Sequence, residues 1–205
     1  MASDVNGPQS GYQELLQLRT SPPTERADAA RNRATVLDAA ARLFAEHGAE
    51  NVSMDAVAAA AGVGKGTLFR RFGDRAGLAA ALLDAREREL QERILSGPAP
   101  LGPDGAPGER LVAFVAAYLD YLLGHLDLVR MSETAAPGAR YRIGAYRFWH
   151  RHVALLLTGS AADPEYAAHA LLAGLGAEHV TAVLPLLGEA RLRAGALADA
   201  ARAGR

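Results

Sequence analysis

An all-α chain is the expectation, and three features of the sequence set it. Alanine is abundant while aromatic residues are only 6% of the 205 residues, which favours helices over sheets. Apolar side chains return every three or four positions along most of the chain, the helical period. The Pro/Gly-rich run SGPAPLGPDGAPG, Ser96 to Gly108, then divides those periodic stretches as a surface loop.

Taken in order, residues 1–24 are polar and hold Pro8, Pro22 and Pro23, so they read as a flexible tail, with Leu15, Leu16 and Leu18 able to make one marginal helical turn. Leu37, Ala40, Ala41 and Phe44 mark an amphipathic first helix stopped by Gly48. Ser53 can cap the next helix, and Asp55 places negative charge at its N-terminal turn. Met54, Val57, Ala58 and Ala61 share one face of that helix, and Gly62 can take the left-handed conformation that ends it sharply. Val63 supplies a buried contact at the corner. A helix of about two turns follows, with Leu68 and Phe72 inward at i, i+4 and Lys65, Thr67, Arg70 and Arg71 outward. Asp74 caps a long fourth helix running to about Leu95. Beyond the loop, helical patterns cover 109–124, 126–133, 139–157, 164–184 and 187–203, making about nine helices.

The stretch from Ser53 to Phe72 carries the chemistry. An apolar inner face, a tight glycine corner and a short cationic outer helix are what a DNA major groove accepts, and the pattern reads as a helix-turn-helix. Between Gly62 and Arg75 stand Lys65, Arg70, Arg71 and Arg75 against Asp74 alone, a local +3 in a chain of formal net charge -1. Concentrated positive charge in a near-neutral chain points to a local anionic partner. The competing reading is an ordinary helical hairpin, part of a ligand-binding or protein-interaction module that meets no DNA. The DNA reading requires the segment to lie outside the core, with its cations not consumed by the chain's own carboxylates.

Residues 33–78, RATVLDAAARLFAEHGAENVSMDAVAAAAGVGKGTLFRRFGDRAGL, resemble the DNA-binding domain of TetR/AcrR-type transcriptional regulators. The landmarks are LFAEHG closing the first helix, the AGVGKGTLF core, and the step Phe72-Gly73-Asp74-Arg75. The resemblance implies a helix-turn-helix DNA-binding domain over 25–76, then a larger helical ligand-binding and dimerisation domain over 77–205. It further implies a homodimer that regulates transcription, most simply a repressor released by a small molecule. Two positions depart from the family: Gly64 stands where Ser or Ala is usual, weakening the cap of the recognition helix, and Phe69 stands where Tyr is usual. Without the hydroxyl, Phe69 can meet only a sugar or a thymine methyl. The expected DNA contacts are Ser53 on a phosphate, Lys65 on a base edge, Gly66, Thr67 shared between base and phosphate, Phe69, and Arg70, Arg71 and Arg75 supplying charge. Recognition helices about 34–36 Å apart across a two-fold axis make the operator near-palindromic.

In the second half, Phe114, Tyr118, Tyr121 and His125 form one stripe, with Met131 on the next short helix. Tyr146 and Trp149 form another, with His152 on an adjacent face. Aromatics with polar handles suit a largely apolar ligand pocket, and equally an ordinary core. Arg147 and Arg151, i and i+4, could meet an anionic ligand, and a solvated face is the reading favoured over it. Small residues at Ala167, Ala170, Gly174, Ala177 and Thr181, and the apolar side of the final helix, suit either a monomer core or a homodimer through the last two helices, which the resemblance favours.

Catalysis is not expected. Cysteine is absent, which removes thiolate zinc sites and Cys nucleophiles. His150 and His152 are i, i+2 and diverge on a helix. The run GVGKGT has the wrong spacing for a phosphate loop and no strand before it. No cofactor or metal is expected. Apolar runs stop short of membrane length and the N-terminus lacks a basic-then-apolar pattern, so the expected compartment is the cytoplasm.

Overall fold

The computed structural model describes residues 8–19 and 27–205. Its described residues are helical, with one short 3₁₀ turn and no named strand. In chain order the helices are α1 (Pro8–Leu18), α2 (Ala27–His47), the 3₁₀ turn (Ala49–Asn51), α3 (Met54–Ala61), α4 (Lys65–Phe72), α5 (Arg75–Ser96) and α6 (Pro107–Gly124). There follow α7 (Leu126–Glu133), α8 (Ala139–Arg142), α9 (Gly144–Leu156), α10 (Pro164–Ala173), α11 (Ala177–Leu187) and α12 (Glu189–Ala203). Contacts gather these into two compact units. One holds α2 to α4, α5 as far as Ala85, and residues 125–140; the other holds α1, α5 from Arg86, α6 and residues 141–205. The domain boundary expected at residues 76–77 falls at the start of α5, whereas contacts divide that helix near Ala85.

The first unit is built around a helix-turn-helix. Ser53 Oγ accepts from the Ala56 N–H at 3.1 Å and caps α3, satisfying one of the orphan donors of its first turn. Gly62 ends α3 at φ 65°, with its N–H and that of Val63 folded back onto Ala58 and Ala59 carbonyls. Only glycine takes that conformation without strain. Asp74 caps α5 by accepting from the Gly77 N–H at 2.9 Å. Val36, Ala40, Phe44, Val57, Leu68, Phe72 and Leu78 close the core beneath. On α2 the buried face runs through Val36 and Ala40; Ala41, expected inside, is exposed because it lies about 100° round the helix from Ala40. α7 packs on the 3₁₀ turn, and Leu128 and Met131 lie against the same core.

The second unit has α6 at its centre, with α9 and α12 against it and α10 on α9. Three elements differ from the expected nine. First, the expected tail contains α1, a docked helix. Leu15 is buried, Tyr12 donates to the Leu95 carbonyl at 2.6 Å, Glu14 pairs with Arg151, and Gly11 lies so close to Leu155 that a side chain would collide. Residues 1–7 and 20–24 lie outside the described residues. Second, the 139–157 pattern splits at Ile143, whose backbone is extended. Third, the 164–184 pattern breaks between Ala173 and Ala177, where Gly174 and Gly176 cost a helix most. α11 then carries Pro185 in its last turn, and Gly188 at φ 74° turns the chain into α12.

That third break corrects the small-residue stripe. Ala167, Ala170, Gly174, Ala177 and Thr181 do not share one straight helix; Ala177 is buried while Ala170 and Gly174 are exposed. The C-terminal region is three helices, α10 to α12, where two were expected.

Candidate nucleic-acid interface

α4 presents its polar face to solvent. Leu68 and Phe72 are buried, whereas Lys65, Gly66, Thr67, Phe69 and Arg70 are exposed and Arg71 is half-buried. The segment is therefore not threaded through the core. Gly64 sits at the N-cap without a side-chain hydrogen bond, the weak cap expected there. Gly66 has open space where a Cβ would stand, so nothing inside the protein requires glycine at that point.

The cations are not equally available. Lys65 Nζ lies 2.7 Å from Asp55 Oδ2 on α3 and 5.8 Å from the Phe69 ring centroid. The condition that no carboxylate of the chain should hold the reading cation fails for this residue. The pair is open to water, with side chains 63% and 60% exposed, and such surface pairs contribute about 0.2–1 kcal/mol. A duplex phosphate or base edge can displace it. Arg75 donates to the Glu50 carbonyl at 2.7 Å and more weakly to that of Val52, a link the sequence did not indicate. It ties the end of the helix-turn-helix to the 3₁₀ turn. Glu50 itself pairs with Arg130 of α7. Arg70 is exposed and has no hydrogen bond or ion pair among the described residues. Ser53 keeps its hydroxyl proton for another acceptor while its oxygen serves the cap.

The eight residues expected to line a ligand pocket divide. Phe114, Tyr118, Tyr121, Trp149 and His152 come together: Phe114 lies 5.7 Å from Tyr118, 6.0 Å from Trp149 and 5.2 Å from His152 between ring centroids. Tyr118 in turn meets Tyr121 at 5.8 Å and Trp149 at 6.0 Å. Tyr146 turns away from them, its hydroxyl 2.7 Å from His169 Nδ1. His125 stands at the N-terminus of α7 and belongs with Met131 to the first unit. There Met131 shares a cleft of about 470 Å³ with Phe69, Arg75 and Arg130.

Two polar side chains near the aromatic cluster were missed. Glu87 and Gln91 on α5 are buried, and Tyr121 donates to Glu87 Oε1 at 3.0 Å. The signal was present: Glu87, Leu90, Gln91 and Ile94 fall at helical spacing, inside a stretch that reads as charge-rich and therefore solvated. His152 is 1% exposed, and its Nε2 has no hydrogen-bond partner. Burial first, and then the charge of Arg110, lower its pKa from 6.5 to about 3, so the imidazole is neutral across the physiological range.

A capped helix, a left-handed glycine corner and an exposed cationic second helix, in a chain otherwise all helical, define the class of helix-turn-helix proteins with a helical body. Residues 36–82 match the family "Bacterial regulatory proteins, tetR family". The N-terminal module is thus similar to that family's DNA-binding domain, and the chain shares its fold with a solved TetR-family regulator. Helix-turn-helix-type transcriptional regulators from several Staphylococcus aureus strains are 45% identical over 53 residues, 26% of this chain and 29% of each relative. The match thus spans under a third of their length. A TetR-family transcriptional regulator from Pectobacterium atrosepticum is similar over 85% of this chain and 93% of its own, at 26% identity and TM-score 0.59. NalD, the secondary repressor of the MexAB-OprM multidrug efflux pump in Pseudomonas aeruginosa, shares the fold at 22% identity and TM-score 0.56, over 85% of this chain and 96% of its own. So does a protein from Saccharomonospora viridis whose structure holds choline, at 20% identity and TM-score 0.55, over 83% and 94%. These relatives are regulators by name, not enzymes.

Proposed function

We propose that this chain is a transcriptional regulator that binds a near-palindromic operator as a homodimer and is released from it by a small molecule. One observation carries the reading: α4 is anchored by Leu68 and Phe72 and offers Lys65, Gly66, Thr67 and Arg70 to solvent on one short helix. Laid in a major groove, Lys65 exchanges Asp55 for a base edge, Arg70 and Arg71 meet phosphates, and Ser53 donates to another. Gly66 lets the backbone approach closely, and Phe69 makes an apolar contact. Arg75 holds the frame as much as it supplies charge.

Homodimerisation is assigned to the C-terminal helices, where exposed Leu186 and Leu187 and a groove of about 210 Å³ between α10–α11 and α12 leave apolar surface uncovered. The effector is assigned to the aromatic cluster of α6 and α9. The unpartnered His152 Nε2 and the Tyr121–Glu87 pair supply polar anchors in an otherwise apolar setting. The NalD and choline structures support repression and small-molecule binding as properties of this fold. A coupling of about 1–3 kcal/mol per site is the usual scale for such release. Tyr146 stands outside that cluster, and His125 and Met131 belong to the other unit, so none of the three is kept in the proposed effector site.

The Lys65–Asp55 pair favours a second reading, a helical interaction module whose basic hairpin meets no DNA. Retention of fragments of the source genome on pure protein, followed by a salt titration of the bound fragment, separates the two. The regulator reading expects one or few fragments held with a steep salt dependence; retention no better than random DNA at every salt concentration favours the second.

A further inference from the structure

The docking of α1 creates a cleft that neither the family match nor the proposed effector site uses. It measures about 420 Å³ and is lined by Gln17 and Glu14 of α1, Tyr141 of α8, Tyr146, Arg147, His150 and Arg151 of α9, and His169 of α10. Its wall is aromatic. Tyr141 meets Tyr146 edge-on at 5.1 Å, Tyr146 stacks on His169 at 5.9 Å, and His150 stacks on His169 at 3.7 Å. Tyr141 is 54% exposed, so part of its ring is open to a ligand.

Charge decides what that ligand is. Glu14, the acid that lines the cleft, is taken by Arg151, which also pairs at 3.0 Å with Glu165. The Arg147 side chain is exposed and has no ion pair or hydrogen bond among the described residues. These two carboxylates and the two guanidiniums of Arg147 and Arg151 balance in sum, and Arg147 is the member of the set without a partner, standing beside a wall of π faces. A single anionic group can pair with Arg147 without displacing a carboxylate, whereas a polyanion would find only one free cationic partner. A guanidinium fork suits a carboxylate, and the ring faces suit a flat ring.

We propose that this cleft binds a small aromatic carboxylate, its ring against Tyr141 and His169 and its carboxylate on Arg147. Gln17, which lines the same cleft, carries a further donor. Because the site lies on α1, α8, α9 and α10, occupancy also ties α1 to α9.

Calorimetric titration of the full-length protein tests this without DNA, so its failure leaves the regulator reading standing. Benzoate is the probe, with cyclohexanecarboxylate (same charge, no ring face) and tetramethylammonium (opposite charge) beside it. Benzoate is expected to bind best and tetramethylammonium not at all. Arg147→Gln should weaken benzoate about tenfold, roughly 1.4 kcal/mol, and Arg147→Lys should restore part of the loss; position 147 is exposed, so neither variant threatens the fold. Tyr141→Ala should narrow the preference for benzoate over cyclohexanecarboxylate. No heat with ~10 mM benzoate, affinity too weak to matter, would overturn the proposal. So would equal binding by wild type and Arg147→Gln, or tetramethylammonium binding as well as benzoate.

Discussion

Gly66 poses the sharpest question at the scale of single residues. A glycine inside a helix costs about 0.5–1 kcal/mol relative to alanine, yet a Cβ at this position would meet no atom of the protein. Nothing in the fold explains that cost; under the proposed function, a DNA backbone that must come close explains it. Gly66→Ala should therefore stabilise the fold by about that free energy, seen as a higher unfolding midpoint, while weakening DNA binding. Improved stability with undiminished binding would remove Gly66 from the interface. Asp55 offers a complementary test. Asp55→Asn frees Lys65 and removes an acid that would face the duplex, at a cost of about 0.3–1 kcal/mol in helix-dipole stabilisation. The variant should bind DNA several-fold more tightly at low salt. If binding falls instead, the Lys65–Asp55 pair positions the lysine rather than competing for it. Phe69→Tyr should add affinity if a phosphate lies near the ring, and none if it faces only sugar or a methyl.

Elements were legible wherever local chemistry and tertiary packing agreed. Ser53, Gly62 and Asp74 act as caps and stops because each satisfies or ends its own helix through neighbours within a few residues. Leu68 and Phe72 face inward because nothing polar shares their stripe. Legibility failed where the deciding partner was distant in sequence. α1 could not be foreseen from Leu15, Leu16 and Leu18: its helix is held by Leu95, Leu155 and Arg151, 80 or more residues away. Lys65 reads as a free cation until Asp55, ten residues earlier, is brought beside it. The break at Gly174–Gly176 was written in the sequence as two helix-destabilising glycines, and the small-residue stripe running through them hid it. Gly62 gives the direct test at this scale. Gly62→Ala forces a side chain into φ 65° and should cost about 1–2 kcal/mol, with DNA binding lost as the α3–α4 corner opens. An unchanged unfolding midpoint would mean that the corner relaxes freely.

Across the whole molecule, buried polarity in the helical body sets how stability depends on pH. His152 is neutral when folded, its pKa near 3, and takes up a proton below about 6.5 when unfolded. The unfolded state then binds more protons, so stability is full above pH 6.5 and drains as pH falls toward 3, by at most about 5 kcal/mol. Urea midpoints should fall across that window, and His152→Leu should flatten the slope. A slope unchanged by the substitution would place the proton uptake elsewhere. The same body holds Trp149, the only tryptophan, within 6.0 Å of Phe114 and Tyr118. Its emission should shift when an effector enters the aromatic cluster, and constancy at saturation would move the effector away from α6 and α9.

The central claim is that α4 reads a duplex through Lys65, and it is tested most directly by measuring wild type and Lys65→Ala on the retained genomic fragment and on random DNA of equal length. The account predicts a loss of about 1–3 kcal/mol on the specific fragment and a much smaller loss on random DNA. Equal losses on both would demote Lys65 to a phosphate contact, and no loss on either would contradict the account.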